Sequence, residues 1–396
     1  PPIGYDEALA AVLDACSPLD VEEVALADAG GRVLAEAPAV RVPIPPFANS
    51  AMDGFAVRSA DLASGAATLP LAPRVPAGTA PGPLPEGHAA PVATGAPIPA
   101  GADAVVPIED AAAADGSVRL PGPVPAGRFV REPGSDLAAG AGPLAAGTRL
   151  GPAEGALLAA VGAVRVRVHR RPRVAIVSTG AELVPPEAEP GPAQIRDANA
   201  TSIAWAVSAE AAEPVPLGIA TDAEAPLRDL LARALEHDAV VSSAGVSVGE
   251  RDLVRGVLGA LGVEERFWGI DLKPGRPCAF GVRGPVPVLG LPGNPASALV
   301  GVHLLVRPAI RALSGWTDPR PRFETARAGG GWPPPEGRAH AVRCVLADGP
   351  DGPVALPTGD QSSHRIGSLV GAEALALLEP GRAVRTGEPV RLLRTG

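Results

Sequence analysis

"RVAIVSTGAEL", residues 173–183, runs Val174, Ala175, Ile176 and Val177 together without a polar break and then turns at Gly180. A run this short, rich in β-branched residues and closed by glycine, reads as a strand buried on both faces. The segments C-terminal to it repeat the pattern. "NATSIAWAVSAEAAE" (199–213) reads as a helix, "PVPLGIATD" (214–222) as a strand and "AEAPLRDLLARALEH" (223–237) as a second helix. Strand "DAVVSS" (238–243) meets the loop "AGVSVGE" and helix "RDLVRGVLGALG" (251–262). Strand "VPVLGL" (286–291) meets "PGNP" and a long helix over 296–314. Strands alternating with helices predict a doubly wound α/β domain, a parallel sheet covered on both faces.

The flanks read differently. "GYDEALAAVLDAC" (4–16) carries Tyr5, Leu9, Val12, Leu13 and Cys16 at helical spacing. Short strand-like pieces occupy 21 to about 60, and 61–150 is dense in Pro and Gly with brief alternating runs, the signature of a β-rich domain. "GPAEGALLAAVGA" (151–163) predicts a helix and "VRVRVHRRP" (164–172) a strand. The tail, 320–396, returns to short alternating pieces and reads as a small β-barrel or sandwich.

With 396 residues, a formal charge of −9 and 46% apolar residues, the chain suits several well-filled domains and not a general nucleic-acid or membrane-surface binder. Cys16, Cys278 and Cys344 have no CxxC spacing, and the six His are scattered, which excludes a zinc ribbon or a disulfide framework. "ASALVGVHLLV" (296–306) reads as too short to span a bilayer, and no signal peptide is visible, so a cytoplasmic location is expected. The chain opens on Pro1 without Met, so a few leading residues are expected to be missing.

Within this Ala-, Gly-, Pro- and Arg-rich background the rare residues are informative. Lys273 is the single lysine among 34 basic residues, Met52 the single Met, and Asn occurs only at 49, 199 and 294. All fall in loops marked by Gly or Pro. Ligands of open α/β sheets bind outside the carboxyl ends of the strands, where "STGAELV" (178–184), "SSAGVSVGERD" (242–252) and "PGNPAS" (292–297) stand. Small residues there let backbone N–H groups approach an anion, with a helix N-terminus behind them. "LKPGRP" (272–277) adds Lys273 as a point charge and Arg276 as a fork for oxyanions. Asp53, Asp136, Glu182, Asp197, Asp222 and Asp252 lie at loop signals. Gathered near anion-binding amides they suit Mg²⁺, which takes oxygen ligands and bridges phosphates. There is no GxxxxGK[ST] loop and no GxGxxG opening a helix after a strand.

In order, "NSAMDGFAV", "ATGAPIPAGADAVVPIED", "REPGSDLAAG", "VAIVSTGAELV", "QIRDAN", "DAVVSSAGVSVGERD", "KPGRP", "GLPGNPASA" and "SSH" resemble the molybdopterin molybdenumtransferase family, which includes MoeA and the E domain of gephyrin. The resemblance covers nearly the whole chain. It implies four parts: an α/β domain of molybdopterin-binding type (1–20 with 172–318), a connecting domain (21–45 with 140–171), a β-rich lid (46–139) and a C-terminal β-barrel (319–396). It further implies a homodimer whose cleft lies between the lid of one subunit and the α/β domain of the other. There, Mg²⁺-dependent insertion of molybdate, a substrate, into adenylyl-molybdopterin would release AMP, with the molybdopterin adenylyltransferase as a partner.

By the same resemblance Asp53, Asp136, Glu182, Asp252 and Lys273 are the catalytic positions. Thr94, Ser247, Gly249, Arg276, Pro292, Asn294, Pro295 and Ser363 bind substrate, and Asp53, Glu182 and Asp222 hold the metal. The chain departs from the family pattern at four places. Ala181 and Ala223 stand where acids are usual, Ala244 replaces a Gly, and Arg276 a Lys. These departures motivate an alternative, a molybdopterin-binding scaffold paralogue with little turnover.

Overall fold

Val174 and Ile176 point into one apolar cluster, and Ala175 and Val177 into another, because successive side chains of a strand leave opposite faces of the sheet. That is why the sequence shows an unbroken apolar run. The computed structural model describes residues 2–221, 223–244, 251–333 and 337–396, apart from the side chains of Arg251 and Asp252. It divides into two compact units, Pro1–Glu36 with Ala146–Gly151 and Arg165–Gly396, and Ala37–Ala145 with Pro152–Val164.

In the larger unit six strands form one sheet: β1 (Arg173–Thr179), β2 (Glu213–Ala220), β3 (Ala239–Ser243), β4 (Glu264–Trp268), β5 (Ala279–Arg283) and β6 (Val286–Leu291). The order is β2-β1-β3-β6-β5-β4. Strands β2, β1, β3 and β6 are mutually parallel, as the alternation predicts. Strands β5 and β4 are added antiparallel at one edge, so the sheet is mixed and not wholly parallel. One face is covered by α1 (Tyr5–Asp14), by α2 (Ala198–Ala209) and by the helical run Pro295–Leu313. The other is covered by α3 (Glu224–Ala234) and α4 (Arg251–Ala260).

The run Pro295–Leu313 has 19 residues and a mean hydropathy of 1.4, long and apolar enough to cross a bilayer, contrary to the reading of 296–306 as too short. It is 83% buried against the sheet, so it is a core helix. A π-helical turn, Val302–Val306, carries His303 as its second residue. His303 Nδ1 accepts from Arg307 Nη1 at 3.0 Å, and burial, then the Arg307 charge, push its pKa down to about 3. Beside it Arg307 and Arg311 clasp the buried Glu210. Burial opposes ionisation of Glu210, but the hydrogen bond from Arg311 and the two guanidinium charges outweigh it and hold the carboxyl below its ordinary range.

The tail closes into a five-stranded barrel. β7 (Phe323–Ala328), β8 (Ala339–Gly349), β9 (Gly352–Pro357), β10 (Ala374–Leu378) and β11 (Pro389–Arg394) run β8-β9-β7-β11-β10 and back to β8. Closure removes the free edges that an open sheet of this size would expose. Trp332, Cys344, Ala355 and Leu392 are among its core residues.

The smaller unit is built of short strands: Gly54–Val57 between Ala90–Val92 and Ala104–Pro107, and Ser117–Leu120 between Ala67–Pro70 and Ala112–Ala114. Phe55, Leu62, Val106 and Leu120 fill one of its cores. Gly54 is required by close approach, since a Cβ there would lie 2.1 Å from Val106 O.

Candidate functional site

Three parallel strands of the larger unit deliver their loops to one cavity of about 480 Å³. After β1, Gly180 turns the chain at φ +141°, and a Cβ there would sit 2.6 Å from the Glu182 carboxylate, which lines the cavity. Asp197 then caps α2 by accepting from Ala200 N at 3.1 Å, so this acid from "QIRDAN" serves the helix. β3 ends on Ser243 with Ala244 next, and after β6 come Pro292, Gly293, Asn294 and Pro295, all bordering the same space.

Two amide side chains tie these loops together. Asn199 Nδ2 donates to Ser243 Oγ and to Gly293 O, each at 2.8 Å. Asn294 Nδ2 donates to Ser363 Oγ at 2.9 Å, and Ser363 O accepts from Ala296 N at 3.2 Å. Ser363 belongs to the loop between β9 and β10, and the next residue, His364, lines the cavity. The barrel therefore supplies part of the wall.

Arg343 on β8 fixes that loop. It is fully buried, donates Nε to Ser368 Oγ at 2.9 Å and Nη2 to the carbonyls of Asp360 and Ser362, each at 3.3 Å. Burial lowers its pKa, and Nη1 has no partner among the described residues. Nearby, the His340 pKa is pushed down to about 4 by burial first and by the charges of Lys273 and Arg343 after it.

Of the residues named from sequence, Glu182, Pro292, Asn294 and Pro295 line the cavity and Ser363 bonds to it through Asn294. Lys273 and Arg276 are exposed on their turn, and Pro277 of the same turn reaches the cavity wall. Asp53 and Thr94 meet in the smaller unit: Asp53 Oδ1 accepts from Thr94 N at 2.7 Å and from Thr94 Oγ1 at 3.3 Å. Of the two Phe flanking Asp53, Phe55 is buried and Phe47 is 44% exposed. Asp136 is exposed, its backbone bonded to Ile44 O at 3.0 Å. Asp222, Ser247 and Gly249 lie outside the described residues, as does the side chain of Asp252. Ser243 and His364 stand within "SSAGVSVGERD" and "SSH" but were given no role there, and neither Asn199 nor Arg343 was assigned to the site from sequence. The rarity of Asn was the available signal for Asn199, which lies in the first turn of α2 and not in a loop as expected.

Ala244 adopts φ +68°, a left-handed conformation normally left to glycine. Ala223 stands at the N-cap of α3 without a side-chain bond, and Ala181 is exposed, so neither position brings a carboxylate. Among the described residues no three His, Cys, Asp or Glu side chains gather closely enough to form a metal cage.

An α/β unit with a cavity at the carboxyl ends of parallel strands, walled in part by a closed barrel, defines a ligand-binding α/β protein with appended β domains. Comparison with known proteins narrows the class. The MoeA N-terminal region (domain I and II) matches residues 3–162, the probable molybdopterin binding domain 175–312, and the MoeA C-terminal region (domain IV) 325–394. The chain is 40% identical over 305 residues to a molybdopterin molybdenumtransferase of Nostoc sp., covering 75% of this chain and 70% of that one. It is 34% identical over 385 residues to molybdopterin molybdenumtransferase 2 of Mycobacterium tuberculosis, covering 94% and 93%. Two solved structures of the molybdopterin biosynthesis MoeA protein from Pyrococcus horikoshii superpose with TM-scores of 0.84 and 0.79 at 28% and 32% identity. They cover all of this chain, and 100% and 99% of those chains. The chain belongs to the molybdopterin molybdenumtransferase family, and is thereby a transferase of molybdenum cofactor biosynthesis.

Proposed function

We propose that the protein inserts molybdate into adenylyl-molybdopterin in an Mg²⁺-dependent reaction that releases AMP. The observation that carries this reading is the convergence of Glu182, Ser243, Asn294 and His364 on one cavity at the carboxyl edge of the sheet. In that cavity the Glu182 and Asp197 carboxylates, the Arg196 guanidinium and neutral hydrogen-bonding groups surround the first turn of a helix. Loop amides and the helix N-terminus suit phosphate-like anions. Lys273 and Arg276, the cations nearest in sequence to the Pro277 wall, would draw molybdate, and the dithiolene sulfurs that receive molybdenum come with the substrate.

The donor chemistry fits Mg²⁺ without a protein cage. Mg²⁺ is commonly held by one or two carboxylates together with substrate phosphates, and Glu182 offers such a carboxylate to the cavity. Asp53 and Asp222 are the further oxygen donors in this reading. The bound ion would polarise the phosphoanhydride and steady the leaving AMP. Asp136, Asp252 and Lys273 complete the catalytic set. Thr94, Ser247, Gly249, Arg276, Pro292, Asn294, Pro295 and Ser363 contact substrate. A homodimer belongs to the same reading.

A second reading, a molybdopterin-binding scaffold with little turnover, is favoured by Ala181 and Ala223, which bring no carboxylates where the resemblance expects acids. One assay separates the two: AMP release from adenylyl-molybdopterin with molybdate and Mg²⁺. Turnover that requires both additions supports the transferase. Tight molybdopterin binding without AMP release would establish the scaffold.

A further inference from the structure

Asn199 is 7% exposed, and both hydrogens of its amide are used, one on Ser243 Oγ and one on Gly293 O. The amide has only one sensible orientation. Turning it over would set Oδ1 against the Gly293 carbonyl, acceptor against acceptor. In the orientation it adopts, Oδ1 is buried without a partner among the described residues. The fold retains that desolvated oxygen while both N–H groups hold the loops after β3 and β6.

The consequence lies at Ser243. A hydroxyl has one proton to donate and two lone pairs to accept with. Because Ser243 Oγ accepts from Asn199, its proton is not directed at Asn199, and no described residue takes it. Ser243 borders the cavity, as does Gly293, whose carbonyl Asn199 has drawn away as an acceptor. We propose that Asn199 is a positioning residue that holds Ser243 as a hydrogen-bond donor toward an oxyanion of the ligand, a phosphate ester or molybdate. This rests on the reading of the cavity as an anion site, and it assigns to Ser243 a ligand contact and to Asn199 the task of aiming it.

The test is a double-mutant cycle read by calorimetric titration of the full-length protein with AMP and, separately, with molybdate. Ser243→Ala should weaken binding of one of the two anions about tenfold or more, the loss of one hydrogen bond to a charged group. The anion affected identifies which oxyanion Ser243 meets. Asn199→Ala should weaken the same anion by a similar factor, yet by less than about twofold once Ser243→Ala is present. Asn199→Asp should weaken it further, since a carboxylate would accept the Ser243 proton and repel the anion.

A fall in melting temperature with both anion affinities unchanged would overturn the proposal and leave Asn199 a packing residue. Equal, independent losses from the two substitutions would overturn it as well, as would a wild-type protein that binds neither anion. If Asn199→Ala does not fold, Ser243→Ala alone decides, because unchanged affinity for both anions excludes the donor role. Should the cycle hold while the wild type releases no AMP from adenylyl-molybdopterin, the transferase reading fails and the positioning of Ser243 stands.

Discussion

Asn294, at the start of the core helical run, holds Ser363 of the barrel loop through a 2.9 Å bond from Nδ2 to Oγ. The two residues are 69 positions apart, and their bond makes the barrel part of the cavity wall. Ser363→Ala removes the acceptor and leaves an exposed amide that water can satisfy. A hydrogen bond of this kind contributes roughly 0.5–1.5 kcal/mol. The KM for molybdate or adenylyl-molybdopterin should rise up to about tenfold, with little change in melting temperature. An unchanged KM would remove the barrel loop from the site.

Much of this arrangement was legible in the sequence because burial on both faces writes an unbroken apolar run. The strands β1, β3 and β6 and their loops could be found that way. The antiparallel strands β4 and β5 could not. "EERFW" is charged where it meets solvent, and "AFGVR" carries Gly281, whose Cβ would collide with Val263 and Glu264. Arg343 was also hidden, since an arginine in an alternating strand reads as a solvated charge until the strand closes into a barrel around it. Asn199 stood out by rarity, but its partners lie 44 and 94 positions away, and no local pattern reports such contacts.

Ala244 at φ +68° is strained for a residue with a Cβ. Ala244→Gly should relieve that strain and stabilise the protein by about 1 kcal/mol, less the extra freedom glycine has when unfolded. Urea denaturation would show a higher midpoint at an unchanged slope. A lower midpoint would mean that the methyl packs favourably, in a place where a side chain on Gly293 would come within 3.2 Å of it.

His303 gives the core a defined response to acid. Its folded pKa of about 3 lies below the ordinary value of 6.5, so the native state binds fewer protons than the unfolded chain between those values. Stability therefore falls as pH drops below about 6.5, and protonation would also break the bond from Arg307 to Nδ1. Between pH 7 and pH 5 this histidine should cost roughly 1–2 kcal/mol. Denaturant titrations of wild type and His303→Gln should show a shallower loss in the variant. Parallel losses would assign the acid sensitivity to other groups.

Lys273 is exposed, and its charge adds to burial in depressing the His340 pKa. Lys273→Met keeps the aliphatic stem and removes the ammonium. If Lys273 serves as an oxyanion ligand, molybdate affinity should fall about ten- to a hundredfold, the range of one charge-assisted contact. The same change should raise the His340 pKa, which NMR titration of the ring protons would record. A shifted His340 with unaltered molybdate dependence would leave Lys273 an electrostatic neighbour and nothing more.

Asp53 spends only one carboxylate oxygen on the loop of Thr94, since both bonds from Thr94 end on Oδ1. Asp53→Asn can present its amide oxygen to Thr94 and keep those bonds, so the substitution changes chiefly the charge and the atom at Oδ2. If Oδ2 serves the metal or the substrate, melting temperature should barely move. AMP release should fall about tenfold or more, with a raised Mg²⁺ requirement. Asp53→Ala removes both oxygens and should lower activity and also stability, because Thr94 N loses its acceptor. The two variants together separate the roles. Equal loss of activity with loss of stability only in Asp53→Ala assigns the chemistry to the charge. Full per-molecule activity in Asp53→Asn would make Asp53 a structural link to the loop of Thr94 and nothing more.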